Sequence, residues 1–136
     1  MRILLDTNIL LSAALFPNGT AAKAYNKAVM YPNKGIVCEW TIDELHQVFN
    51  RKFSNKIDSL NKFISTAATS FEIIPTPTDN VPDELKIRDV KDRPILRAAK
   101  IAKVDILLTG DKDFLESGIN TPKIVNPSQF LSITQN

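Results

Sequence analysis

Histidine and cysteine each occur once, as His46 and Cys38. One cysteine cannot close an internal disulfide or build a cysteine-cluster metal site. One histidine excludes a histidine-rich metal site and leaves a Ser-His-Asp hydrolase without support. No uncharged run approaches the ~18 residues that a membrane span requires. The apolar opening is interrupted by Asp6 and Asn8, and no small-residue cleavage pattern follows a basic segment. A secretory leader and a membrane partner are therefore not expected, and the expected compartment is the cytoplasm. Charge of one sign is also lacking: 17 Lys and Arg stand against 15 Asp and Glu, a formal balance of +2. What remains for catalysis is carboxylate chemistry.

What is present describes one soluble α/β domain spanning residues 1–136. Apolar residues make up 43% of the chain and charged residues 24%, enough to hold a core without staples. No internal repeat, low-complexity tract or dividing linker is visible, and the longest loop expected is the proline-rich segment 75–82. Short apolar strands are predicted at 2–6, 36–39, 72–74, 106–108 and 123–125. None of them alternates polar and apolar residues, so each should be buried on both faces in a mostly parallel sheet. Between them lie helical patterns: 8–15; a helix opened by Thr20, with Ala21, Ala24, Tyr25, Ala28 and Val29 on one stripe; one opened by Thr41, with Ile42, Leu45, Val48, Phe49 and Phe53; and one carrying Ile57 through Phe71. Shorter helices are predicted at 92–103, 111–117 and 127–133, the last with Asn126 and Pro127 as cap and first residue. Alternation of this kind implies βαβ units and a three-layer α/β/α sandwich around a Rossmann-like, mostly parallel five-stranded sheet. In such sheets functional groups collect at the carboxyl ends of the strands, where the strand order reverses.

The acids fall at that end. Asp6 closes the first strand, Glu44 lies early in the helix after the second, Asp92 opens the helix feeding the fourth, and Asp111 and Asp113 follow the fourth. Converging carboxylates repel and hold protons unless a cation sits among them. An oxygen-only donor set suits Mg²⁺ or Mn²⁺. Each acid also has a plain structural role open to it. Asp92, with Pro94 close behind, reads as an N-cap; Thr41-Ile42-Asp43-Glu44 has the capping-box pattern; Asp6 and Asp111 can each start a helix; Asp113 can be solvated charge. Asn8 and Thr109 can hold the acids or a phosphate by hydrogen bonds, or serve as turn residues. Two basic stretches, one from Arg51 to Lys62 and one from Lys86 to Lys103, read either as solvated faces or as a surface for a polyanion. Ser12, Cys38 and Trp40 read as packing residues. His46, two positions beyond Glu44, points away from it on a helix.

The segments Leu4-Leu5-Asp6-Thr7-Asn8-Ile9-Leu10, Arg88-Asp89-Val90-Lys91-Asp92-Arg93-Pro94-Ile95-Leu96-Arg97-Ala98-Ala99 and Leu107-Leu108-Thr109-Gly110-Asp111-Lys112-Asp113-Phe114-Leu115 resemble the PIN-domain family. Within it the likeness is to the small stand-alone toxins of the VapC type. The resemblance covers nearly the whole chain. It implies a metal-dependent endoribonuclease that hydrolyses RNA, with site acids carried over to Asp6, Glu44, Asp92 and Asp111 and with Asp113 as an additional one. It further implies metal ligation by Asp6, Asp92 and Asp111 or Asp113, Mg²⁺ or Mn²⁺ as cofactor, a small antitoxin protein as partner, and a homodimer. A catalytically silent PIN fold that binds RNA or protein is the alternative. A haloacid-dehalogenase-type phosphatase fits poorly, because its second Asp would stand where Asn8 is. A receiver domain would need an acceptor Asp where Pro75 follows Ile74.

Overall fold

The computed structural model describes residues 1–134. Five strands, β1 (Arg2–Leu5), β2 (Lys34–Cys38), β3 (Phe71–Ile74), β4 (Ile106–Leu108) and β5 (Lys123–Val125), form one sheet in the order β3-β2-β1-β4-β5. Every pairing is parallel; Ile3 lies opposite Gly35 on one side and Ile106 on the other. The helices are α1 (Thr7–Leu15), α2 (Thr20–Val29), α3 (Glu39–Lys52), α4 (Ile57–Ala67), α5 (Arg93–Ile101), α6 (Lys112–Leu115) and α7 (Pro127–Ser132).

The uninterrupted apolar strands split their side chains between two cores. Ile3, Leu5, Val37, Ile106 and Leu108 face a larger cluster with Leu10, Leu45, Phe49, Leu60 and Phe130. Leu4, Ile36, Cys38 and Leu107 face a smaller one with Ile87, Ile95, Leu96, Ala99 and Phe114. Burial on both faces is why the sequence shows no period of two. Gly35 lets α2 approach closely: a Cβ there would lie 2.7 Å from Val29 Cγ1, so that side chain would have to shift.

Several boundaries differ from the sequence reading. Phe71 belongs to β3 and not to the preceding helix, which ends at Ala67. The residue before α2 is Gly19, and Thr20 is its first helical residue with no side-chain cap. The strand β2 starts two residues earlier than predicted because Lys34 and Gly35 pair with Arg2 and Ile3. The helix α3 also starts two residues early, at Glu39, so Thr41 is inside it and the expected Thr41–Glu44 capping box does not form. The reason is remote: the hydroxyl of Thr76, in the loop after β3, accepts the Trp40 amide at 2.9 Å. The cap of α7 forms as expected, with Asn126 and Gln129 in a reciprocal box and Pro127 in the first turn.

Between β3 and α5 the chain makes two single 3-10 turns, Glu84–Lys86 and Val90–Asp92. A partly buried ion pair anchors this stretch: Arg97 donates to both Glu84 oxygens at 2.9 Å, and Glu84 also accepts the Val81 amide. Arg97 holds the Glu84 carboxyl well below its usual range, at about 2. Arg93 Nε donates to the Ile87 carbonyl at 3.1 Å. These contacts fix the segment that delivers Asp92.

Candidate metal centre

Asp6 is the first residue beyond β1 and the N-cap of α1. Its Oδ1 accepts the Thr7 amide at 2.8 Å; its Oδ2 accepts Thr109 Oγ1 at 2.7 Å and Asn8 Nδ2 at 3.0 Å. Thr109 Oγ1 in turn accepts the Asp111 amide at 3.0 Å, and Asn8 Oδ1 accepts the Gly110 amide at 2.8 Å. Asp6, Asn8 and Thr109 thus tie the end of β1 to the end of β4, neighbours at the point where the strand order reverses. Asp111 caps α6 by accepting the Asp113 amide at 2.9 Å. Asp92 stands at the N-cap position of α5 but makes no capping hydrogen bond. The structural role that the sequence leaves open for Asp92 is therefore not taken up.

Asp92, Asp111 and Asp113 each offer a carboxylate oxygen, and these oxygens lie within 4.8 Å of one another. Asp6 stands beside this trio rather than in it, and its oxygens are engaged by three hydrogen bonds. Glu44, freed of the capping box, is half-buried on α3, close enough for its charge to act on both Asp6 and Asp92. Burial pushes the Asp6 carboxyl up to about 6 against the hydrogen bonds from Thr109 and Thr7, and the charges of Glu44 and Asp111 add to the rise. Asp92 is pushed up to about 7, first by burial and then by the charges of Asp6, Asp111, Asp89 and Glu44. Four chain segments remote in sequence therefore concentrate negative charge in one place.

Two participants were not singled out from the sequence as members of the site. Arg88 donates to Asp113 Oδ1 at 2.7 Å, and Asp89 caps the turn before Asp92 while adding its charge to that of the acids. Their sequence signals were membership of the segment that opens with Arg88-Asp89 and, for Arg88, of the second basic stretch. Part of the second basic stretch is engaged in ion pairs. Lys86 and Lys100 pair with Asp83, Arg97 with Glu84 and Arg88 with Asp113. Cations without a carboxylate partner among the described residues include Lys91 and, on the first stretch, Arg51, Lys52, Lys56 and Lys62.

The donor set fits a hard divalent ion: it is oxygen only, charged, and has one carboxylate, Asp92, with no hydrogen-bond donor of its own among the described residues. A PIN domain family model matches residues 2–113. The chain belongs to the PIN domain family. An uncharacterized protein of Methanocaldococcus jannaschii is 29% identical over 120 residues, which are 85% of this chain and 74% of that one. The PIN fold seen here is similar to that in the crystal structure of VapBC2 from Rickettsia felis bound to a DNA fragment from their promoter (TM-score 0.69, 17% identity, 93% of this chain and 98% of that one). It is also similar to FitAcB from Neisseria gonorrhoeae (TM-score 0.63, 21% identity, 93% and 98%). The resemblance read from the three segments and the α/β fold class is thereby shown. No helix of this PIN domain is long and apolar enough, among the described residues, to cross a membrane.

The raised carboxyls have a consequence for stability. Asp6 and Asp92 bind protons more tightly in the folded chain than in the unfolded one, so the folded state holds more protons between about pH 4 and pH 7. Stability of the metal-free PIN domain should then fall as pH rises through that window. Glu84 acts oppositely, but only below its ordinary range, where its pairing with Arg97 is lost on protonation. The metal-free protein should melt several degrees higher at about pH 5.5 than at about pH 7.5, and excess Mn²⁺ should shrink or invert the difference. Thermal denaturation at both pH values with and without Mn²⁺ checks this. A pH-independent melting point would show that neither burial nor neighbouring charge raises these two carboxyls.

Proposed function

We propose that this PIN domain is a Mg²⁺- or Mn²⁺-dependent endoribonuclease of the VapC toxin type. The observation that carries the reading is the Asp92–Asp111–Asp113 trio, held within 4.8 Å beside Asp6 and Glu44 at the carboxyl end of a parallel sheet. Asp6, Asp92 and Asp111 would hold the ion, with Asp113 joining them once Arg88 releases it. Asp6 contributes charge and, through Thr109 and Asn8, fixes the loop that carries Asp111. A bound dication supplies a water of lowered pKa and neutralises charge developing on a phosphodiester. Glu44 orients the attacking water from the α3 side, and Arg88, once free of Asp113, is placed to meet a phosphate oxygen. Single-stranded or loop RNA is the substrate class, because its backbone can enter an open acidic site flanked by lysines and arginines.

The structural likeness to VapBC2 and FitAcB supports a small antitoxin as partner of this chain; a homodimer is proposed from the family resemblance alone. The alternative, a silent binding module, is disfavoured by the retention of every expected carboxylate.

The test is incubation of the purified protein with mixed cellular RNA and Mg²⁺ or Mn²⁺, beside calorimetric titration of the same ions. Cuts that appear with the metal and vanish with EDTA are expected, together with saturable heat of binding. Absence of both would leave the binding-module reading.

A further inference from the structure

A cleft of about 460 Å³ opens between α3 and the start of α5, lined by Trp40, Glu44, Gln47, Arg51, Lys91 and Pro94. We propose that it is a nucleotide subsite of the RNA substrate, in which a base stacks on Trp40 and a neighbouring phosphate meets Arg51 and Lys91. The proposal rests on the nuclease reading and adds to it where the RNA strand lies.

The cleft adjoins the acidic site through Glu44. Glu44 is in its wall, and Pro94 and Lys91 flank Asp92 in sequence, so a chain whose phosphate reached the carboxylates would continue into it. Charge is graded along its α3 side. Asp43 and Glu44 stand at the amino-terminal end, and Arg51 stands seven residues beyond Glu44, about 10 Å along the helix. That separation lets Arg51 meet a phosphate other than the one at the acids. Arg51 and Lys91 form no ion pair among the described residues, whereas Arg88, Arg97, Lys86 and Lys100 are all engaged. Unpaired cations over a low-dielectric wall attract an anionic chain.

Trp40 supplies the wall. One side of it packs against the smaller core, as the sequence reading expects of a packing residue, yet it is only half-buried and also lines the cleft. Its backbone is fixed by Thr76, so the ring is carried on a rigid helix start. A held aromatic surface beside unpaired cations is the combination that binds single-stranded nucleic acid without reading a duplex. The volume is that of a site for one small ligand, which matches one nucleotide rather than a helix of RNA. Gln47, one helical turn past Glu44, presents an amide whose donors and acceptor can meet a base edge.

Trp40 is the single tryptophan of the chain, so its emission reports the cleft directly. The full chain is titrated at low salt, without divalent ions, with a short single-stranded oligoribonucleotide. Binding is followed in parallel by anisotropy of a labelled copy. Saturable quenching is expected from the single strand and none from the same strand annealed into a duplex. Trp40→Ala should weaken binding about tenfold or more, with Trp40→Phe recovering most of it. Arg51→Ala should lower the slope of log affinity against log salt by about one. Binding without quenching, no binding at all, unchanged affinity in Trp40→Ala, or equal quenching by a polyglutamate peptide would each overturn the subsite. The last outcome would make the cleft a protein-docking site. Cleavage in Mn²⁺ is scored separately: cuts without quenching leave the nuclease reading standing and remove the subsite, and quenching without cuts does the reverse.

Discussion

Asp92→Asn is expected to abolish RNA cleavage and, in the same protein, to raise the melting temperature measured without metal. The two effects have one cause. Asp92 makes no capping hydrogen bond, is partly withdrawn from water, and is pushed up to about 7 by burial and by four neighbouring carboxylates. In the metal-free chain its charge is a cost. Removing it at nearly constant volume should stabilise the fold by roughly 1 kcal/mol after solvent screening, or about 4 °C in a chain of this size. With the ion present, the same charge is a ligand. Groups that merely orient a metal ligand already contribute ~10–100-fold, so loss of the ligand itself should reduce cleavage by at least the upper part of that range. Gel-based cleavage rates in Mn²⁺ and thermal melts in EDTA test both halves. Loss of activity together with a lower melting temperature would mean that Asp92 is structural. Full activity would remove it from the site.

Asp6 should behave differently, because it is both a member of the charged site and a hinge of the hydrogen-bond network. Asp6→Ala deletes the cap on Thr7, leaves the Thr109 hydroxyl without its acceptor, and leaves the Asn8 amide only its 3.4 Å contact with Thr109 Oγ1. A lost cap costs about 0.5–2 kcal/mol, and each buried donor left unsatisfied costs about 1–3 kcal/mol. Relief of the buried charge offsets part of this, leaving an expected loss of ~2–4 kcal/mol in urea unfolding. Asp6→Asn retains an oxygen for the Thr7 amide and the volume of the side chain, and Thr109 Oγ1 can turn to accept from the new amide. The Asn8 amide loses its Asp6 acceptor here too, but the cap is kept and the buried charge is relieved, so this variant should be clearly more stable than Asp6→Ala while cleaving no RNA. Two variants of equal stability would show that the network around Asp6 carries no load. Cleavage by the Asn variant at the native rate would show that its charge is dispensable.

The sheet was legible in the sequence because strands buried on both faces are unmistakably apolar, and because helices of period 3.6 separate them. Leu4-Leu5 and Ile106-Leu107-Leu108 could hardly be anything else. Boundaries were less legible where distant chain decides them. No local feature of residues 38–44 reveals that Thr76 caps α3, so the Thr41–Glu44 pattern looked like a cap and was not. Phe71 continued a helical stripe by spacing, but β2 offered it a ladder. Of the candidate acids, their common end of the sheet was readable from topology alone. Which of them approach one another was not, because that depends on the turns between 84 and 92 and on the Glu84–Arg97 anchor inside them. For the same reason Arg88 was visible as one basic residue among many, and its contact with Asp113 was not.

The unequal division of the apolar interior bears on how this molecule would fail. Both Asp92 and Asp111 are carried by elements that rest on the smaller cluster, through Ile95 and Leu96 on one side and Phe114 on the other. The larger cluster, which does not include them, joins the other face of the sheet to α1, α2, α4 and α7. Damage to the thinner layer would first let the acids drift apart while most of the backbone stayed native, so competence to bind an ion would be lost before the fold itself.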